Sequence, residues 1–180
     1  MNTINSVVVF CGSKFGNNPL FKLHAEELGS LLAKHKKTIV YGGGSVGIMG
    51  TIANAALKEN GNVIGVIPKL LLEWEQDHKS LTQLHVTESM HDRKVLLYNL
   101  ADAVIILPGG YGTLDELFET ITWNNLKIHN KKVFILNTAG FYNHLLSHIE
   151  TMQQEGFLYN DWQEQIKVVD NAEELIAQLI

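Results

Sequence analysis

Thr38-Ile39-Val40-Tyr41-Gly42-Gly43-Gly44-Ser45-Val46-Gly47-Ile48-Met49-Gly50 is the stretch on which the fold turns. Thr38 to Tyr41 is short, apolar and rich in β-branched residues, so it reads as a buried strand. Glycines follow at once, and from Val46 to Lys58 the apolar residues recur at helical spacing until Asn60-Gly61 stops them. A strand that runs through glycines straight into a helix is half of a βαβ unit. Such units build parallel sheets with helices on both faces.

The same alternation extends outward in both directions. Upstream, Val7 to Cys11 reads as a strand closed by Gly12-Ser13. Asn18-Pro19 offers a helix cap and a first-turn proline before Leu20, Leu23, Leu28, Leu31 and Leu32. Lys34, His35, Lys36 and Lys37 close that helix with positive charge, which suits its carbonyl end. Downstream, Asn62 to Ile67 is a strand ended by Pro68, and Leu84 to Val86 a short strand. Met90 to Leu100 reads as a helix, Ala103 to Leu107 as a strand, Pro108 to Gly112 as a loop and Thr113 to Lys127 as a helix. Val133 to Leu136 gives a strand and Tyr142 to Glu155 a helix ending at Gly156. Ile166 to Val169 is the last strand, and Asp170 with Glu173 forms a capping box for the final helix. The pattern predicts one Rossmann-like, doubly wound α/β domain over residues 1–180, with a mostly parallel sheet.

Composition agrees with a packed core and bounds the partners. The 180 residues are 46% hydrophobic and 18% charged, too apolar for a disordered polymer. Lys and Arg number 14 against 19 Asp and Glu, a net charge of -5, so a nucleic-acid backbone is not the expected partner. A pocket for one small anion remains open, since it needs only one or two basic side chains. Cys11 is the single cysteine, which excludes an intramolecular disulfide and a cysteine-rich zinc site. No basic segment precedes the apolar run at Val7, and no run approaches a membrane span. A soluble, cytoplasmic protein with no membrane partner is expected.

Ligands of such sheets bind beyond the carboxyl ends of the strands. Two glycine segments fall there, Tyr41 to Gly50 and Leu107-Pro108-Gly109-Gly110-Tyr111-Gly112-Thr113. Glycine lets a backbone approach a ligand, and the amides of a helix start favour an anion. Gly43, Gly44 and Ser45 are therefore candidates for a phosphate loop. Gly42, Gly44 and Gly47 satisfy the dinucleotide spacing, but they follow the second strand, and no acidic residue ends the next one to hold a ribose. Neither segment carries the Gly-Lys-Ser/Thr ending of an ATP loop.

Charged residues in apolar company mark the rest of the site. Met90-His91-Asp92-Arg93-Lys94 opens a helix whose later residues, Val95 to Tyr98 and Leu100, are apolar on nearly every side, so it is expected to be buried, either in the core or against another subunit. Cations at a helix start oppose the macrodipole and call for an anion, either a ligand or Glu88 or Asp92. Glu116 falls one turn beyond Thr113, at the mouth of the second glycine loop. It is either a first-turn acid serving the helix or a carboxylate placed for chemistry on a sugar.

Tyr41 to Gly50, Met90 to Lys94 and Pro108 to Glu116 together resemble the LOG (Lonely Guy) family, the cytokinin riboside 5′-monophosphate phosphoribohydrolases, long mislabelled lysine decarboxylases. The family signature, PGGxGTxxE preceded by an MHxRK-like segment, stands complete here. The resemblance implies cleavage of the N-glycosidic bond of a nucleoside 5′-monophosphate, with Arg93 and Glu116 catalytic. It implies substrate contacts from Glu75, Arg93, Lys94, Gly110, Tyr111, Gly112, Thr113, Leu114, Asp115, Glu116 and Thr122. It also implies a homodimer; the apolar Met90 and Thr113 helices are either internal or the surfaces that pair in it. Where the family has TWxQLGxH, this chain reads Thr122-Trp123-Asn124-Asn125-Leu126-Lys127-Ile128-His129.

Two rivals carry opposite expectations. A nucleotide carrier would use every glycine and Arg93 but gain nothing from Glu116. A decarboxylase would need pyridoxal phosphate on a lysine, for which Lys94 is the one candidate in the signature segments. No cofactor is expected. No metal is expected either, because the eight His lack ligand spacing, and His24, His35, His129, His144 and His148 read as surface or capping residues.

Overall fold

The computed structural model describes residues 3–72 and 78–180. The first half alternates β1 (Ser6–Phe10), α1 (Pro19–Lys34), β2 (Thr38–Tyr41), α2 (Gly47–Lys58), β3 (Val63–Pro68), α3 (Lys69–Leu72) and β4 (Gln83–Thr87). The second half runs α4 (Met90–Asn99), β5 (Ala103–Ile106), α5 (Tyr111–Asn125), β6 (Lys132–Leu136), α6 (Asn143–Gln154), α7 (Trp162–Gln165), β7 (Ile166–Val169) and α8 (Ala172–Leu179).

Among the described residues, seven strands join one sheet in the order β4-β3-β2-β1-β5-β6-β7, and every pairing is parallel. The chain winds outward from β1 to β4, then crosses back and winds the other way from β5. The reversal leaves a crevice between the carboxyl ends of β1 and β5, where Gly12 N donates to Pro108 O at 3.0 Å. Along β1 the side chains alternate between the two layers. Val7 and Val9 join the core under α1, α2 and α8, whereas Val8 and Phe10 join the core under α4, α5 and α6. A strand buried on both faces has no room for polar residues, which is why these runs are continuously apolar.

Several local expectations change. The capping box is one residue late: Asn171, not Asp170, caps α8 by accepting from Glu174 N at 2.8 Å. Glu174, not Glu173, reaches back to Asp170 N at 3.2 Å. Lys37 does not cap α1; it is buried and donates to Ile4 O at 2.7 Å. α5 starts at Tyr111, two residues inside the expected loop, because glycine at 110 and 112 disguises the onset of periodicity. In α4 only Arg93, Leu97 and Tyr98 are buried, while Met90, His91 and Asp92 face solvent. His129 is a packing residue, its ring 5.4 Å from Tyr98 and 5.8 Å from Trp123. α3 and α7 span four residues each, too few for a periodic signal.

Candidate active site

The two glycine loops open their helices differently. At α2, the amides of Ile48 and Met49 donate to Gly12 O at 3.1 and 3.3 Å, so the helix start is closed by backbone. Gly43 and Gly44 are buried and Ser45 half-buried, and Gly43 O accepts from His78 N at 3.1 Å. A Cβ on Gly47, which stands at φ +64°, would strike the main chain of Ser13. Glycine in this loop therefore serves close approach of chain to chain. At α5, Gly110 is the cap residue and offers no side chain, so the first amides, of Tyr111, Gly112 and Thr113, have no side-chain cap. Open space surrounds Gly110 and Gly112 where a Cβ would project. This start is the anion-receptive one, with amides and macrodipole both facing the crevice.

Arg93 approaches from the first turn of α4, which Ser89 caps by accepting from Asp92 N at 3.1 Å. The guanidinium is buried, and its Nε donates to Val66 O at 3.2 Å. It lies against Gly42, where any Cβ would overlap Nη2. The acids that could have neutralised it are engaged elsewhere. Glu88 pairs with Lys69 at 2.6 Å, and Asp92 accepts from Ser89 Oγ at 2.6 Å. Among the described residues Arg93 forms no ion pair, an arrangement that favours an incoming anion. Lys94 is different: its ammonium holds Asp115 at 2.8 Å and Glu119 at 3.1 Å. Asp115 and Glu119 thus tie α5 to α4.

Glu116 projects from the second turn of α5. Burial pushes its carboxyl up to about 7, against the pull of the Arg93 and Lys94 charges and with a further push from Asp115 and Glu119. Cys11, at the end of β1, is close enough to feel the same carboxylate; burial first and then Glu116 hold its thiol far above the usual range. A carboxyl that titrates near neutrality beside a buried guanidinium and an uncapped helix start can exchange a proton at physiological pH.

Gly110 to Glu116 occupy the cap and first turns of one helix, with Leu114 half-buried against the core. Glu75 lies outside the described residues. Thr122 is not at this mouth; it lines a cavity of about 150 Å³ between α5, α6 and α7 with Phe118, Met152 and Trp162. A larger polar cavity of about 350 Å³, with Lys131, Lys132 and Lys167, lies at the opposite ends of the strands. The signature departures close the far end of α5. Asn125 accepts from Gln165 at 2.9 Å, and Lys127, in the family's glycine position, stands at φ +58°. Residues that periodicity did not single out also shape the mouth: Gly42 and Val66 seat Arg93, while Tyr98 and Thr120 bond the main chain of Glu116.

The chain is similar to known proteins along nearly its whole length. A cytokinin riboside 5′-monophosphate phosphoribohydrolase of Rhodococcoides fascians is 44% identical over 98% of this chain and 90% of its own. The chain belongs to the LOG family. Another enzyme of that name, from Arabidopsis thaliana, is 44% identical over 96% of this chain and 81% of its own. The family model carrying the older description "Possible lysine decarboxylase" matches residues 49–179. In structure, the molybdenum cofactor carrier protein of Chlamydomonas reinhardtii superposes with a TM-score of 0.73 over 97% of this chain and 94% of its own. At 20% identity that likeness speaks for the LOG-type fold alone.

Proposed function

We propose that this LOG-family chain, acting as one domain, hydrolyses nucleoside 5′-monophosphates, AMP or cytokinin riboside 5′-monophosphates, to the free base and ribose 5-phosphate. The observation that carries the reading is Glu116: a carboxyl raised to about 7 at the open start of α5, in the field of buried Arg93. The 5′-phosphate docks on the amides of Tyr111, Gly112 and Thr113, with Arg93 as the countercharge. That anchoring directs the sugar toward Glu116, so remote binding energy positions the reacting bond. As the C1′–N bond breaks, its electron pair leaves with the base and positive charge develops on the ribose. The Glu116 carboxylate stabilises that charge and takes a proton from the attacking water. The water oxygen becomes the C1′ hydroxyl, the base takes one proton from solvent, and Glu116 returns the proton it took to solvent, so that one water is consumed in all. Water is the only co-reactant.

A decarboxylase reading is not favoured. Burial alone would ease proton loss from Lys94, but its bonds to Asp115 and Glu119 raise the ammonium above its ordinary range. A Schiff base needs the neutral amine. The proposal further holds that the enzyme works in the cytoplasm as a homodimer, without nucleic-acid or membrane partners. No described helix is long and apolar enough to cross a membrane. Incubation with AMP and chromatography of the products tests the activity: adenine and ribose 5-phosphate are expected in equal amounts. AMP binding without adenine would make the protein a carrier.

A further inference from the structure

Tyr98 lies on α4 five positions beyond Arg93, and its side chain is buried. The phenol hydroxyl is 3.1 Å from the main-chain oxygen of Glu116, which accepts from it, and 3.0 Å from Thr120 Oγ1. Thr120 Oγ1 in turn donates to the same Glu116 oxygen at 2.7 Å. The ring is fixed by Phe10 at 5.9 Å, Trp123 at 5.0 Å and His129 at 5.4 Å between centroids. Its hydroxyl therefore has little freedom to wander. On the same helix Lys94 reaches Asp115 and Glu119. The helix that carries Arg93 is thus fastened to α5 at residues 115 and 119 by one tie and at 116 and 120 by the other. The two ties bracket Glu116.

We propose that Tyr98 is a positioning residue that sets the turn of α5 bearing Glu116 against Arg93. The proposal rests on Glu116 performing the hydrolysis. Four charged groups act on that carboxyl, Arg93 and Lys94 from α4 and Asp115 and Glu119 from its own helix, and the Cys11 thiol just after β1 feels it in turn. The Tyr98 phenol adds no charge, since burial holds it far above its ordinary range. Without the hydroxyl, Lys94 still holds Asp115 and Glu119. The Glu116 carbonyl, however, loses its partner from α4 and keeps only Thr120 Oγ1 of its own helix, so that turn eases away from α4. Water then reaches the Glu116 carboxyl, whose titration falls toward the ordinary carboxylate range. The first turn, which holds the phosphate, is untouched.

Tyr98→Phe keeps the ring and removes the hydroxyl. Its kcat on AMP should fall roughly three- to tenfold, the scale of one lost hydrogen bond, with KM within about twofold. The acid limb of its pH profile should move to lower pH. Thr120→Val should behave alike, Thr120→Ser should restore wild-type kcat, and the double variant should be little worse than either single one. Carbon-13 NMR titration of the Glu116 carboxyl, run without AMP, reads the same shift independently of turnover. If wild-type protein releases no adenine, the hydrolase reading fails and the NMR titration alone judges Tyr98. An unmoved Glu116 titration in Tyr98→Phe overturns the proposal whatever the stability of the variant, and so does an unchanged kcat in an active enzyme.

Discussion

Glu116 and Arg93 illustrate opposite ways of burying charge. Arg93 keeps its charge and one carbonyl partner, Val66 O, whereas Glu116 is pushed toward its neutral form. Glu116→Gln should lower AMP turnover by roughly 10²–10⁴-fold, as expected for loss of a general base. Because the carboxylate is the working form, wild-type kcat should rise with pH through about 7. Stability moves the other way. The folded state prefers protonated Glu116, so the benefit is complete below the ordinary carboxylate range and is lost as pH rises through about 7. Glu116→Gln stays neutral and escapes that loss. Urea midpoints at pH 5 and pH 8 should therefore fall less for the variant than for wild type. A variant with wild-type adenine release would remove Glu116 from the mechanism.

At the scale of elements, the two strand–glycine–helix units have divided the work. The β2–α2 unit gives its amides to Gly12 O and its glycines to close contact, and Gly42 leaves the space in which the Arg93 guanidinium lies. The β5–α5 unit leaves its first amides without a side-chain cap. Gly42→Ala should thus act on Arg93, because the added methyl group overlaps the guanidinium and forces it off Val66 O. AMP turnover should drop at least about tenfold, since small displacements of a positioning group are costly. Circular dichroism should remain that of the folded chain. Wild-type turnover in Gly42→Ala would show that the guanidinium need not occupy this seat.

For the whole molecule, the surface around the site bears on assembly. Met90 on α4 and Phe118 on α5 are exposed, and Leu126 and Ile128 beyond α5 are 65% and 61% exposed. Exposed apolar side chains along α4 and α5 and just beyond α5 offer a surface for the proposed two-fold pairing of these helices, the commonest closed solution for a homo-oligomer. Arg93 and Glu116 ride on these same helices, so pairing would also steady their separation. Size-exclusion chromatography with light scattering should give roughly twice the 20.1 kDa chain mass, with activity lost on dissociation. A fully active 20.1 kDa species would refute the dimer.

The sequence by itself determined the strand–helix alternation and the placing of both glycine loops at the carboxyl ends of strands. Runs such as Val7 to Phe10 can be buried on both faces only in a covered parallel sheet. The paired signature also brought Arg93 and Glu116 forward as a resemblance. Only the tertiary structure decided which glycine loop is open, because Gly12 O closes α2 from 36 residues away in sequence. It alone gave Lys94 to Asp115 and Glu119, moved the α8 cap to Asn171, and joined Tyr98 to Glu116 and Thr120. Periodicity reports the face a side chain turns to. Which hydrogen-bond or charge partner waits there depends on how separate helices cross, and that is fixed by packing over the whole sheet.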